Sequence, residues 1–392
     1  MRGLLRLNSL DRDLAASSIG AFVYSCALGL ATVVLPLLAL AAGYSKSAVG
    51  YVTALSAVSQ MCSRLFLAGI MRRFPDWVIV FSAGGFLALS CALVALSSAA
   101  APSAAAELLQ GVARACFWTG SQTHVVRGSG SSVSRLATVN YISSVGLLIG
   151  PIVGGFIGKH SIQLALWTGA AIALAGMAPP MLLDRLPPFT PWAGKRAAVW
   201  RRSGVMAGSL AGITAGTWRG MLSSYVPVAL QRAGESSASI GIMIAVANGT
   251  SVAGSALMTR VGGGRPVAMY AAATVVTGGS TAFVAAAAGI PGLEATALAL
   301  SGVGAGIPQA IGPSVATDAV GEQERGDAIA VAGTYRAAAL FAAPLGVGAS
   351  LTILPLNVAI VVVGGVITLP ALVSHWAGQP TVRDSNAEAV SG

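Results

Sequence analysis

Charge is what this chain has least of. Only 9% of its 392 residues are Asp, Glu, Lys or Arg, against roughly 25% in a soluble domain, which excludes an ordinary water-solvated globule. Acids are scarcer than bases, 13 against 23. The three histidines, His124, His160 and His375, form no ligand spacing. The four cysteines, Cys26, Cys62, Cys91 and Cys116, fall in four separate apolar runs with no C-x-x-C pair, so neither a disulfide framework nor a metal site is implied. No G-x-x-x-x-G-K-[ST] loop occurs, hence no phosphate cradle for ATP. No nucleophile–base set speaks for an enzyme, and no cofactor is expected. A cleavable leader is not expected either, because the first apolar run is too long for a signal h-region and reads as a first span.

What is present is apolar length. Hydrophobic residues make up 55% and mean hydropathy is +0.77. At about 20 apolar residues per crossing, the chain holds twelve helices, with expected spans 14–41, 48–70, 77–98, 102–123, 136–158, 161–183, 203–231, 238–259, 266–289, 292–316, 328–352 and 355–377. The least apolar connection, 184–202, carries Pro187, Pro188, Pro191 and five basic residues near the middle of the chain. The expected organisation is an all-α membrane protein: a six-helix bundle over 1–183, a linker 184–202, a second six-helix bundle over 203–377 and a tail 378–392.

The net charge of +10 is a matter of topology. Sixteen Lys and Arg fall in loops on one side, only Lys46, Lys159 and Arg232 on the other, and four arginines inside helices. The positive-inside rule then expects both termini and the linker in the cytoplasm and the protein in the plasma membrane. Nucleic acid is excluded as a partner by that distribution; the lipid bilayer is the expected surrounding.

One segment is patterned more tightly than the rest. Between Leu136 and Phe156 there is no charge, and Gly146, Gly150, Pro151, Gly154 and Gly155 stand in the order G-x-x-x-G-P-x-x-G-G. Small residues four apart let helix backbones touch in lipid, and a mid-helix proline bends the axis. This pattern closely resembles the fifth-helix signature of the twelve-helix drug:proton antiporter branch of the major facilitator superfamily. The resemblance implies two pseudo-symmetric six-helix bundles, alternating access, proton-coupled efflux of a small organic or amphiphilic compound, and a conformational role for those five residues. It also implies backbone contact of Gly150, Gly154 and Gly155 with a neighbouring helix, helix eight or another where the bundles meet, and a monomer.

The halves echo one another. Gln110-Gly111-Val112 has a counterpart in Ser301-Gly302-Val303, Ser134-Arg135-Leu136-Ala137 in Glu324–Ala328, and Gly150-Pro151 in Ala343-Pro344, all at an offset near 190 to 193. A second family motif is poorly kept. The loop after helix two reads Gly69-Ile70-Met71-Arg72-Arg73-Phe74-Pro75-Asp76, with Arg73 where the family has an aspartate. Gly69, Arg72 and Arg73 are the remaining conformational candidates, and whether Asp76 takes the acid's role is open. The mirrored loop keeps Arg260, Gly262, Gly264 and Arg265, also without the acid.

Polar residues inside the spans point to the site. Glu107, Gln110, Gly111, Arg114, Trp118 and Gln122 share one face of helix four. A charge at mid-membrane costs at least about 2.5 kcal/mol, so such residues face a cavity or a partner. Glu107 stands where the family motif R-x-x-Q-G has its arginine. It reads equally as a proton site, with protons as the coupling ion, or as an ion-pair partner. In the family, helices one, four, seven and ten line the cavity, so the substrate-binding candidates are Tyr24, Gln110, Arg114, Trp118, Trp218, Arg219 and Tyr225. Arg64 and Arg336, in helices two and eleven, read as structural or snorkelling residues. Four arginines against Glu107 and Glu294 favour an anionic solute, so an importer or facilitator of a small carboxylate-bearing metabolite is the alternative function. A membrane-embedded receptor or assembly protein is the third.

Overall fold

The computed structural model describes residues 2–127, 132–188, 199–261, 266–321 and 324–376. Most of the linker (189–198), the mirrored loop (262–265) and the tail (378–392) lie outside them. The described residues form thirteen α-helices and two short 3₁₀ turns, without a strand. The helices are α1 (Arg2–Ala41), α2 (Lys46–Ile70), α3 (Asp76–Leu96), α4 (Ala100–Arg127), α5 (Ser132–Gly158), α6 (Ile162–Ala175), α7 (Ser203–Leu222), α8 (Tyr225–Arg232), α9 (Ser237–Val261), α10 (Pro266–Ala286), α11 (Pro291–Asp318), α12 (Arg325–Ser350) and α13 (Leu356–Trp376). Among the described residues, eight helical segments are long and apolar enough to cross a membrane. Leu65, Phe66, Leu96 and Ile353 sit exposed on the outside, as lipid-facing side chains would.

Thirteen helices stand where twelve spans are expected because the single span 203–231 is broken into α7 and α8. The cause is local. Ser223 Oγ and Ser224 Oγ donate back to the carbonyls of Arg219 and Gly220 at 3.0 and 2.6 Å, and Pro227 has no N–H to continue the ladder. Likewise the expected span 161–183 is helical only through Ala175, then turns at Gly176 into a 3₁₀ segment, Pro179–Leu182. The turns after α1, α8 and α10 use positive-φ Gly43, Gly234 and Gly289, a conformation that costs glycine nothing. These turns define the far end of the bundle; the 184–202 connection defines the linker end.

Helices α1–α6 pack chiefly on one another, α1 on α5 and α2 on α4, while α7 packs on α12 and α9 on α11. The two sets of contacts repeat. A Cβ on Gly111 would overlap Ser56 O, and one on Gly302 would overlap Ala247 O, each partner 191 positions further on. Pro151 Cδ lies against Gly29, and Pro344 Cδ against Gly220. The sequence echo is thus a repeated packing contact, in which backbone touches backbone because no side chain intervenes.

The halves join at the far end. Val33 and Leu37 of α1 and Val49 of α2 belong to the same buried apolar cluster as Val226, Ile240 and Ile244. Tyr225, fully buried, donates its hydroxyl to Lys46 O at 2.9 Å and lies tight against Gly50.

Candidate functional site: the central arginines

The Gly-Pro segment divides its contacts between the halves. Gly146, Gly150 and Gly154 face α1, where added Cβ atoms would collide with Phe22, Cys26 and Leu30 backbone. Gly155 instead faces α9 of the other half, its Cβ position 3.0 Å from Gly241 Cα, and Gly241 abuts Pro151 O. The expected contact with the eighth span, here α9, is therefore made by Gly155 together with Pro151. The other three glycines weld α5 to α1, because one helix face cannot meet both neighbours.

On α4, Arg114 Nη2 donates to Gln110 Oε1 one turn away. Below it Phe117 stacks on Tyr24 of α1, centroids 3.9 Å apart and nearly parallel, and Trp118 meets Phe117 edge-on at 5.4 Å. Tyr24 is buried, Trp118 half-buried and Gln122 exposed. On α7, Arg219 Nη1 donates to Asn248 Oδ1 of α9, and its guanidinium lies 5.8 Å from the Trp218 ring centroid. Arg219 is an electrostatic neighbour of both Arg114 and Arg336, and Arg336 of Arg64. Arg336 Nη2 has a long contact of 3.5 Å to Gln309 Oε1, and Arg64 reaches α12 beside Gly333. Among the described residues no carboxylate forms an ion pair with any of these four arginines. Their positions form a lane running from the centre toward the linker end along α2 and α12.

Not every candidate reaches that centre. Trp218 is 2% exposed and donates Nε1–H to Ser301 Oγ at 3.1 Å, so it is turned into the α7–α11 interface. Tyr225 belongs to the far-end closure already described. Glu107 is buried at the α2–α4 seam against Ser56, with Arg114 as its electrostatic partner and Oε2 unpartnered. Buried Tyr24 Oη, Gln110 Nε2, Arg114 Nε and Arg64 Nε also lack a protein partner.

Gly69, Arg72 and Arg73 are all exposed at the linker end. Asp76 is not; it is 1% exposed, 3.3 Å from Arg127 Nη1 and 3.2 Å from His124 Nδ1. His124 Nε2 in turn meets Asp13 Oδ1 at 2.9 Å, and Asp13 Oδ2 accepts from Arg135 at 2.8 Å. This network ties α1, α3, α4 and α5 together. Sequence reasoning missed it because its members lie up to 122 residues apart. It also missed Asn248, whose signal was an amide in the middle of an apolar span.

An all-helical bundle of two repeated halves with apolar helices long enough to cross a membrane is the architecture of a membrane transporter rather than an enzyme. The model of the Major Facilitator Superfamily matches residues 17–344, and the chain belongs to that family. Its fold is similar to that of a mutant of the nucleoside transporter NupG (TM-score 0.76, 12% identity, 93% of this chain and 99% of that one). It is likewise similar to the human organic anion transporter MFSD10 (TETRAN) (TM-score 0.66, 18% identity, 93% and 99%), and to another NupG crystal structure (TM-score 0.68, 11% identity, 93% and 98%). No curated protein sequence matches it.

Proposed function

We propose that the protein is a secondary transporter for a small organic anion, held between Arg114 of the first half and Arg219 of the second. The observation that carries this reading is that arginines from both halves are electrostatic neighbours and, among the described residues, no carboxylate is in ion-pair contact with them, Glu107 being a more distant partner of Arg114. An uncompensated cation in lipid is costly, and a guanidinium offers a planar fork that fits a carboxylate with two hydrogen bonds. An anion bridging the halves draws them together, which is the event alternating access requires. Arg64 and Arg336 extend the positive potential toward the linker end, along the path of exchange. The fold of the organic anion transporter named above agrees with this reading but, at its low identity, does not carry it.

The units that move are 1–183 and 203–377, hinged on 184–202 and acting as a monomer. The basic loops put the linker end and both termini in the cytoplasm of a plasma-membrane protein, so the far-end closure corresponds to a state open to the cytoplasm.

A second reading is proton-coupled efflux of an amphiphilic compound in the manner of drug:proton antiporters, with Glu107 as the proton site. The unpartnered Oε2 of Glu107 favours it. Counterflow in proteoliposomes over a panel of small organic anions, cations and neutral amphiphiles, with and without an imposed pH gradient, tests both. Saturable exchange of anions alone is the expected result. Gradient-driven movement of cations or neutral amphiphiles would overturn the anion reading.

A further inference from the structure

The proline of α5 leaves one carbonyl without its helical donor. In an α-helix the N–H of residue 151 would bond the carbonyl of residue 147, and proline has no N–H. Leu147 O is nevertheless satisfied: Asn248 Nδ2, from α9 in the other half, donates to it at 3.1 Å. The same amide accepts from Arg219 Nη1 through Oδ1. A carbonyl can only accept and a guanidinium only donate, so one orientation of the Asn248 amide serves both and the flipped one serves neither. Asn248 is 5% exposed, so water cannot readily substitute at either atom. Next along α9, Gly249 lies against Leu148 and Gly241 against Pro151 O, so the bond sits within the continuous α5–α9 seam.

We infer that Asn248 is a positioning residue that latches the two halves through the carbonyl freed by Pro151 and aims Arg219 with the other end of its amide. The latch holds α5 against α9 while the far end is closed. A solute anion that takes up the Arg219 guanidinium competes with Asn248 Oδ1, loosens the amide and lowers the barrier to separating α5 from α9. The proline of the Gly-Pro motif thus acts by exposing an acceptor as well as by bending its helix. The repeat-related Pro344 frees Leu340 O, which faces Gly220 and receives no side-chain donor among the described residues, so the latch is one-sided. The statement about Arg219 rests on the anion reading; the latch itself does not.

The latch is tested without solute, so its failure is separable from failure of the anion reading. Spin labels at Lys159 and Gln231, both exposed at the far end of opposite halves, in a background with the four cysteines replaced by alanine, report the far-end distance by double electron–electron resonance. Asn248→Ala should raise the ratio of open to closed far ends about tenfold, the size of one buried hydrogen bond. Asn248→Asp, of the same shape and still an acceptor for Arg219, should do the same because it cannot donate to Leu147 O. In a Pro151→Ala background the helix regains its own donor, and Asn248→Ala should then shift the ratio less than twofold. A tenfold shift that persists in the Pro151→Ala background, no shift in either background, or an Asn248→Asp protein that stays closed would each overturn the inference.

Discussion

His124 lies one residue beyond the expected span 102–123, and its titration makes a quantitative test of the network that binds α1, α3, α4 and α5. Burial works against its charge, but its contacts with the Asp13 and Asp76 carboxylates outweigh that, and the imidazole is pushed up to about 9. A group whose folded value exceeds its unfolded value of about 6.5 gives stability that is complete below the unfolded value and is lost as pH rises through the folded one. The difference corresponds to ~3 kcal/mol. His124→Gln removes the charge while leaving Arg127 and Arg135 to hold the two carboxylates. Unfolding in detergent, followed by denaturant titration, should show the variant less stable than the parent by ~3 kcal/mol at pH 6, with the gap closing to under about 1 kcal/mol by pH 10. Comparing the two proteins cancels the titrating groups that do not touch His124. A gap that stays constant from pH 6 to pH 10 would refute the reasoning.

Two further outcomes follow from the packing and from the buried acid. Gly155→Ala pushes a methyl into Ser237 O of the other half, an overpacking cost of about 1–3 kcal/mol; it should open the far end in spin-label distances while leaving thermal stability nearly unchanged. Gly150→Ala pushes into Cys26 O within its own half and should do the reverse, lowering stability by a similar amount. Glu107→Gln keeps the shape at the α2–α4 seam; on the anion reading solute exchange survives with its pH dependence lost, whereas abolished exchange at every pH would assign Glu107 a structural task.

The helical segments, the repeat and the close packing of the Gly-Pro segment were legible because each is written locally, in hydropathy or in small-residue spacing. The break after Leu222 was less so, since it depends on Ser223 and Ser224 bonding back to α7. Among the site residues, Arg114 and Arg219 stand out in sequence because a charge in an apolar span demands an explanation. Trp218 and Tyr225 were equally conspicuous, yet one is spent on Ser301 and the other on Lys46 O. Which face of a helix looks inward cannot be read where the residues on both faces are Ala, Gly and Ser. The His124 network and Asn248 depend on contacts across 101 to 122 residues, and such contacts leave no periodicity to find.

The central claim is that Arg114 and Arg219 hold an anion between the halves. Its most direct test is counterflow of the organic anions that the proteoliposome panel identifies, measured for Arg114→Gln, Arg219→Gln and the double variant, each checked for folding by its elution from size-exclusion chromatography. Every variant should fold, each single change should reduce exchange by about tenfold to a hundredfold, the scale of losing one charged hydrogen-bonding partner, and the double variant should add little further loss because both act on one bound anion. Undiminished exchange by a folded double variant would contradict the account.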